Sequence, residues 1–246
     1  MILNPIHHAS VDSTQARALA ALEAGSANHG DLHVAQAQLA GRGRRGTPWH
    51  SPAGSGLYAS AIILFPRAVV APGAWTAAGA LALLDVIVPA GALDVHLKWP
   101  NDLVDSQGSK LAGVLAEARP HGKGGTAMIL GMGANVSATQ FPADLLAERP
   151  VTDLAQLGAK TTPEEVLASL IPALGRRLDQ ALEHSPSLSA DFQAALTLGE
   201  EPLRVETPQG VLHGQLESLD LEGELVLQSG SGPKRIRVEH VTAIAT

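Results

Sequence analysis

Residues 40–52 read AGRGRRGTPWHSP, and this stretch decides between two fold classes. Its residues 41–46 have the glycine spacing G-x-G-x-x-G, which joins a strand to a helix in dinucleotide-binding folds. A strand is predicted just before it, at 32–38. The helix cannot follow, because Pro48 and Pro52 each push the preceding residue out of the α region. The sequence therefore argues against a dinucleotide-binding fold here, and it also lacks the P-loop pattern G-x-x-x-x-G-K-[ST].

The same loop combines a flexible backbone with permanent positive charge. Glycines leave such a loop free to move when nothing is bound, and the planar guanidinium of arginine suits phosphate. The loop could close over a small anion and exclude water. A solvated surface loop is the alternative, but Trp49 favours a binding loop because a large aromatic side chain is usually buried. Its ring could stack on a base.

The composition predicts a soluble, cytoplasmic protein with one sizeable domain and a small one. The chain has 246 residues, of which 45% are hydrophobic and only 3% aromatic, so Ala, Leu and Val must build the core. A net charge of −7 argues against general nucleic-acid binding. The absence of cysteine excludes disulfides, thiolate metal sites and a cysteine nucleophile. No signal peptide or membrane-spanning stretch is recognisable.

Helical and strand signals are mixed along most of the chain. Capping residues and Ala/Leu-rich stretches predict helices at 13–24, 72–90, 162–184 with a kink or interruption at Pro172, and 188–198. Apolar runs and alternation predict strands at 32–38, 56–64 and 94–99, and a hairpin of 110–118 with 126–136. The order from 137 to 162 stays open.

The pattern changes near the C-terminus. Short alternating strands separated by the turns PQG, LEG and SGSGP predict a small β-barrel of about five strands. We therefore predict two domains, a larger domain with helices and strands at 1–198, which the resemblance described below makes the catalytic domain, and a β domain at 199–246.

Three further motifs accompany the arginine loop. They are KWPND at 98–102, KLAGVLAE at 110–117 and GMGANV at 131–136. Together with the loop and with Asp-Ser-Thr at 12–14, in this order and spacing, they resemble the biotin protein ligase family from about residue 10 to the C-terminus. Each motif alone is modestly specific, whereas the ordered set is highly specific.

The resemblance implies a two-step ligase that uses ATP. The carboxylate of biotin attacks the α-phosphate, which gives biotinyl-5′-AMP and pyrophosphate, and a lysine of a biotin carboxyl carrier protein then displaces AMP. Mg²⁺ is expected with the nucleotide. The implied fold is α+β: a mixed sheet with helices on one face, similar to class II aminoacyl-tRNA synthetases, followed by an SH3-like β-barrel.

The resemblance also assigns candidate site residues. Those expected to bind biotin are Ser13, Thr14, Gln15, Gln38, Arg42, Gly43, Arg44, Lys110 and Gly113. Those expected to bind ATP or the adenylate are Arg42, Arg44, Trp49, Lys98, Asn101, Lys110 and Asn135. The catalytic candidates are Lys110, Arg44 and Asp102. A fixed ammonium that bridges two anions lowers the barrier electrostatically, and Asp102 either accepts a proton or orients the incoming amine. No metal ligand from the protein is predicted.

The sequence departs from the family pattern in three ways. Gln15 stands where Asn is usual, and Ala134 replaces a branched aliphatic residue, which predicts a roomier pocket wall. The N-terminal helix-turn-helix of repressor-type members is missing, so DNA binding is not expected. Homodimerisation through the catalytic sheet is common in the family and is our expectation.

Two other functions compete with this interpretation. A lipoate ligase or octanoyltransferase shares the architecture but is expected to lack the arginine loop motif and the β tail. A nucleic-acid-binding module is disfavoured because acidic residues outnumber Lys234, Arg235 and Arg237 in the β segment, which lacks aromatic residues for base stacking.

Overall fold

A computed structural model describes the chain except residues 69–71, 138–139, 197, 199–200, 222–223 and 246. A seven-stranded mixed sheet has the strand order β1-β2-β3-β7-β6-β5-β4. Strands β1 and β2 pair in parallel, and the other neighbours pair antiparallel. The strands are β1 (Asn4–His8), β2 (Asp31–Ala35), β3 (Gly56–Phe65), β4 (His96–Lys98), β5 (Asp102–Val104), β6 (Lys110–His121) and β7 (Gly125–Asn135).

Five α-helices accompany this sheet in the described part of the chain. They are α1 (Thr14–Glu23), α2 (Pro72–Ile87), α3 (Ala143–Glu148), α4 (Pro163–Leu182) and α5 (Pro186–Ala195). Thr162 and Glu165 form a reciprocal capping box at the start of α4. The helix continues through Pro172, so an interruption there is not observed. Apolar residues on both sides of the proline, Leu170 and Ala173, are buried in the core and hold the helix together.

Helices cover both faces of the sheet, but unequally. Leu57 and Ala59 of β3 belong to the main core with α2 and α4, whereas Ile62 packs with Ala18 of α1 on the opposite face. The alternation of a strand puts these two sets on opposite sides. The expectation of helices on one face therefore holds for α2, α4 and α5, and α1 is the exception.

The small residues of α2 let it lie close to the sheet. A Cβ atom at Gly79 would be 3.0 Å from Val114 and 3.4 Å from Leu130. Trp75 is the one aromatic residue of this helix, and it packs on Phe65 with ring centroids 5.0 Å apart. The close approach of α2 to the sheet thus compensates for the small number of bulky aromatic side chains in the core.

An arginine joins three helices on this side. The Nε and Nη2 atoms of Arg177 in α4 donate to Asp85 of α2 at 2.8 and 2.9 Å, and Nη1 donates to Asp191 of α5 at 2.5 Å. The Arg177 side chain is only 15% exposed. We expect Arg177→Met to lower the free energy of unfolding by about 2–4 kcal/mol, because two partly buried carboxylates lose their partner. Urea denaturation measures this, with exposed Arg176→Met as the matched control, and equal small losses would contradict the prediction.

The C-terminal strands form a second, antiparallel sheet. Its order is β11-β10-β9-β8-β12. Its five strands agree with the predicted number, while closure into an SH3-like barrel stays a prediction. The predicted boundary at 198/199 falls on residues 199–200, which lie outside the described residues, so the two-domain division is a proposal. The strands are β8 (Leu203–Thr207), β9 (Gly210–Leu219), β10 (Glu224–Ser229), β11 (Gly232–Arg237) and β12 (Ala243–Ala245).

The two sheets share one continuous core. Trp99 is buried between them, its Nε1 atom donates to the carbonyl of Val241 at 3.1 Å, and its ring meets Phe192 edge-on. Across the described residues, the helices are all too short or too polar to cross a membrane.

Candidate active site

A cleft of about 300 Å³ opens on the sheet face that carries α1. Gly113 of β6 and Gly131 and Gly133 of β7 line it. The start of α1, the arginine loop and the β4–β5 connection surround these glycines. The predicted site residues that line the cleft are Ser13, Thr14, Gln15, Gln38, Arg42, Gly43, Arg44, Trp49, Asn101, Asp102, Lys110 and Gly113.

Two predicted nucleotide-binding residues do not line the cleft. Lys98 is exposed on β4, and the Asn135 amide is buried and donates to the carbonyl of Thr152 at 2.9 Å. Residues 150–152 in turn pair with Lys110, whose N–H donates to the Pro150 carbonyl at 3.0 Å. Asn135 therefore supports the segment that holds Lys110, and direct contact with a nucleotide stays a prediction for both residues.

The first turn of α1 points polar side chains at the sheet. Ser13 caps the helix by accepting from the Ala16 N–H at 3.0 Å. The Thr14 N–H donates to Gln38 Oε1 at 2.8 Å, and its hydroxyl lies 2.9 Å from Ser60 Oγ. The Gln38 Nε2 atom donates to Ser51 Oγ at 2.9 Å. The side chains joined by these hydrogen bonds form one end of the cleft, called the polar end below.

The arginine loop is folded into a compact turn. A single 3₁₀ turn at Arg44–Gly46 is closed by the Thr47 N–H, which donates to the Arg44 carbonyl at 3.1 Å, and the Gly43 N–H donates to the Thr47 carbonyl at 2.7 Å. The absence of an α-helix agrees with the sequence prediction. The Arg44 Nη1 atom reaches across the cleft and donates to Asn101 Oδ1 at 3.2 Å. This bond closes the loop over the cleft.

Trp49 lies flat against a glycine. A Cβ atom at Gly133 would be 2.7 Å from the indole ring, so only glycine allows this position. The backbone N–H of Trp49 donates to the Gly41 carbonyl at 2.9 Å. The two glycines of GMG in β7 have a period of two and so face the same side. Their spacing was the sequence signal for this smooth wall, since glycine inside a strand often marks a close approach.

Lys110 occupies the centre of the cleft. Its Nζ atom is 2.7 Å from Asp102 Oδ1 and 5.3 Å from the centroid of the Trp49 ring. The side chain is 18% exposed, which excludes an exposed strand-end lysine. Burial lowers the pKa of the Lys110 ammonium, and the Asp102 carboxylate opposes that shift. A Cβ atom at Gly113 would lie 3.3 Å from Nζ, so this glycine leaves room for the ammonium.

Three residues in or behind the cleft were given no role in the sequence analysis. Ser60 and Glu117 hydrogen-bond the α1 side chains. Arg149 lines the cleft from the segment that was left open, and its Nη2 atom donates to the Pro48 carbonyl at 3.3 Å. Nothing in the sequence around Arg149 marks it, whereas Glu117 belongs to the KLAGVLAE motif.

The charge of the cleft is opposite to that of the whole protein. The acidic side chain lining it in the described structure is Asp102, against five cations. These are Arg42, Arg44, Arg45, Lys110 and Arg149. A local excess of positive charge in a protein of net charge −7 indicates an anionic ligand of limited size.

Comparison with known proteins agrees with this geometry. The family model for the Biotin/lipoate A/B protein ligase family matches residues 8–135. The chain is 35% identical over 230 residues to the biotin--[acetyl-CoA-carboxylase] ligase of Mycobacterium tuberculosis, covering 90% of this chain and 82% of that protein. The chain belongs to the biotin protein ligase family. The ligase of Paracoccus denitrificans is 34% identical over 240 residues and is covered to 98%.

A solved biotin protein ligase shares the whole architecture. The structure from Aquifex aeolicus, in complex with biotin and ATP, superposes with a TM-score of 0.79 at 26% identity and covers 98% of both chains. The C-terminal sheet therefore lies within the shared part of the fold.

Of the departures from the biotin protein ligase pattern, the structure explains Gln15 and corrects the inference drawn from Ala134. The longer side chain of Gln15 fits because Gly131 has no side chain. A Cβ atom at this position would be only 2.6 Å from Gln15 Oε1. Ala134 belongs to the main core and does not line the cleft, so the predicted roomier wall is wrong. Its side chain points to the α2 face because it is one residue out of phase with Gly133.

Proposed function

We propose that this chain attaches biotin to a specific lysine of a biotin carboxyl carrier protein through biotinyl-5′-AMP. The observation that carries the proposal is the position of Lys110, between the buried polar end of the cleft and the arginine loop. Its ammonium is 2.7 Å from Asp102 and 5.3 Å from the Trp49 ring centroid. A carboxylate bound at the polar end and a phosphate under the loop would meet at this ammonium.

The first step joins two anions. A carboxylate oxygen of biotin attacks the α-phosphorus of ATP, and pyrophosphate leaves. Lys110 offsets the repulsion between the two groups, with a contribution of about 3–4 kcal/mol by analogy with single oxyanion-hole donors. The closed loop, fixed by the Arg44–Asn101 bond, keeps water from the reactive adenylate.

The second step transfers the biotinyl group. The amine of the carrier lysine attacks the acyl carbon, and AMP leaves. When Lys110 turns towards the phosphate, Asp102 is released to orient the incoming amine or to accept its proton.

Mg²⁺ fits this site as part of the nucleotide complex. Among the described residues, no three metal-ligating side chains come together, and the carboxylate of Asp102 is engaged by Lys110. ATP phosphates are therefore the expected ligands, and the ion supplies charge neutralisation when bound.

The polar end of the cleft favours biotin over lipoate or octanoate. Thr14, Gln38 and Ser60 offer hydrogen bonds that a cyclic urea can use and an aliphatic chain cannot. Pyrophosphate release from ATP should require biotin, and octanoate or lipoate should not replace it. The carrier domain should gain one biotinyl group by mass spectrometry. Release with lipoate but not with biotin would overturn the proposal.

Trp49→Ala is expected to weaken ATP binding by about 1–3 kcal/mol, since a base loses its stacking partner. Biotin binding without ATP should change much less, because Trp49 contacts that end through its backbone, whose carbonyl accepts from Ser51 Oγ. Calorimetric titration with each ligand separates the two effects. Equal losses for both ligands would mean that the ring supports the whole site.

The proposal extends to a cytoplasmic homodimer without DNA-binding activity. ATP and carrier proteins meet in the cytoplasm, and β1 is an edge strand that leaves Ile6 37% exposed. Light scattering tests the dimer. Fluorescence anisotropy with duplex DNA tests the absence of DNA binding.

A further inference from the structure

A continuous chain of hydrogen bonds starts at Glu117, outside the residues assigned to the reaction. The Gln15 Nε2 atom donates to Glu117 Oε2 at 2.9 Å and to the Ile129 carbonyl at 3.3 Å. A carboxylate and a carbonyl can only accept, so the amide nitrogen of Gln15 must point at them. The orientation of this amide is therefore determined, and Oε1 remains as its acceptor.

That orientation sets the direction of the next two bonds. Ser60 Oγ donates its only proton to Gln15 Oε1 at 3.0 Å. In the 2.9 Å contact between Ser60 and Thr14, Ser60 can consequently only accept. The Thr14 hydroxyl also lies 3.2 Å from Gln38 Oε1, which accepts the Thr14 N–H at 2.8 Å and has a second lone pair for the hydroxyl proton. The Thr14 hydroxyl thus sends its proton towards the protein and keeps a lone pair for the cleft.

We propose that Glu117 is a positioning residue for biotin: its carboxylate fixes the hydrogen-bond direction through Gln15 and Ser60, so that Thr14 offers an acceptor to a ureido N–H. This inference rests on the proposed function. A cyclic urea carries two N–H donors and one carbonyl, and it needs a site whose acceptors and donors are already oriented. If the direction of these hydrogen bonds were reversed, Ser60 would donate to Thr14 and occupy a lone pair that the ligand N–H needs.

Glu117→Gln removes the determinant of direction while keeping shape and size. A carboxamide can donate as well as accept, so the Gln15 amide is free to flip and both directions become populated. Ser60, Thr14 and the backbone stay in place. The loss should appear in biotin affinity and should leave the ATP end of the cleft unaffected.

The test measures biotin-dependent pyrophosphate release with each substrate varied. For Glu117→Gln, the KM for biotin should rise about tenfold, with the KM for ATP and kcat within about twofold of wild type. Arg119→Gln is the matched control, because Arg119 binds Glu117 Oε1 at 3.0 Å and leaves the Oε2 contact with Gln15 intact. Calorimetric titration with biotin, without ATP, should show the same tenfold loss of biotin affinity independently of catalysis.

A second variant tests the same series of hydrogen bonds at Gln15, the residue that links Glu117 to Ser60. Gln15→Met removes the polar link, so adding Glu117→Gln to it should cause no further loss of biotin affinity. An unchanged biotin affinity in Glu117→Gln, or additive losses in the double variant, would overturn the inference. An equal rise in both KM values together with a lower Tm would do the same and assign Glu117 a structural role. Failure of the proposed function is distinguishable, because the wild type would then release no pyrophosphate with biotin.

Discussion

Replacing Lys110 with alanine is expected to slow biotinyl-adenylate formation by about two orders of magnitude or more, since the two reacting anions lose the cation between them. Its ammonium is the cation that the structure places beside both Asp102 and Trp49. Biotin-dependent exchange between pyrophosphate and ATP measures this step, and circular dichroism checks that folding is unchanged. Lys123→Ala, in the exposed turn at the far end of the same hairpin, serves as control. Near-normal exchange in Lys110→Ala would remove this residue from the chemistry.

The same residue predicts a pH dependence. Burial lowers the pKa of Lys110, and Asp102 counteracts this shift. Because only the ammonium can bridge the anions, adenylate formation should decline as pH rises through that lowered pKa, and thus below the pH at which an ordinary lysine loses its proton. Asp102→Asn removes the opposing charge and should move the decline to still lower pH. A decline at the same pH in both proteins would contradict this assignment.

Arg44→Gly is expected to release the adenylate instead of preventing its formation. The Arg44–Asn101 bond at 3.2 Å ties the loop across the cleft. Without it, ordering the glycine-rich loop costs about 1–2 kcal/mol per residue in backbone entropy with less to offset it. The free adenylate should then acylate exposed lysines of bystander proteins. Biotin incorporation into serum albumin, compared with wild type, measures the leak.

Arg45→Gly is the matched comparison for this variant. Arg45 has a positive φ of 55°, which glycine adopts without strain, so the loop loses the same charge while keeping its conformation. The Arg45→Gly variant keeps the bond between Arg44 and Asn101 and should release much less adenylate. Negligible albumin labelling by Arg44→Gly, with adenylate formation intact, would refute the retention role.

Much of the fold could be predicted because its signals are local. The β6–β7 hairpin and the capped start of α4 appear close to their predicted positions. Strand β1, whose residues NPIHH do not alternate, and the three-residue β5 were missed, because pairing with neighbours stabilises them. Helix α3 lies in the region that the sequence left open.

The candidate site was likewise predicted in part from local sequence signals. The ordered motifs predicted which residues gather at the cleft, and the GMG glycines mark the wall on which Trp49 lies. The burial of Asn135 against Thr152 and the position of Ala134 in the core could not be predicted. Asn135 lies on the same face as Gly133, and its burial depends on the segment at Thr152, 17 positions further along the chain, whereas Ala134 lies on the opposite face.

By itself, the sequence determined the family, the mixed α and β composition, the non-helical arginine loop and the residue types that the chemistry needs. Those properties depend on backbone preferences, charge and spacing within a few residues. Only the tertiary structure decided the partners: Gln15 meets Glu117 across 102 positions of sequence, and Arg44 meets Asn101 across 57. Strand register and the packing of α1 select these pairs among many polar residues. The direction of each hydrogen bond then follows from which partner can only accept.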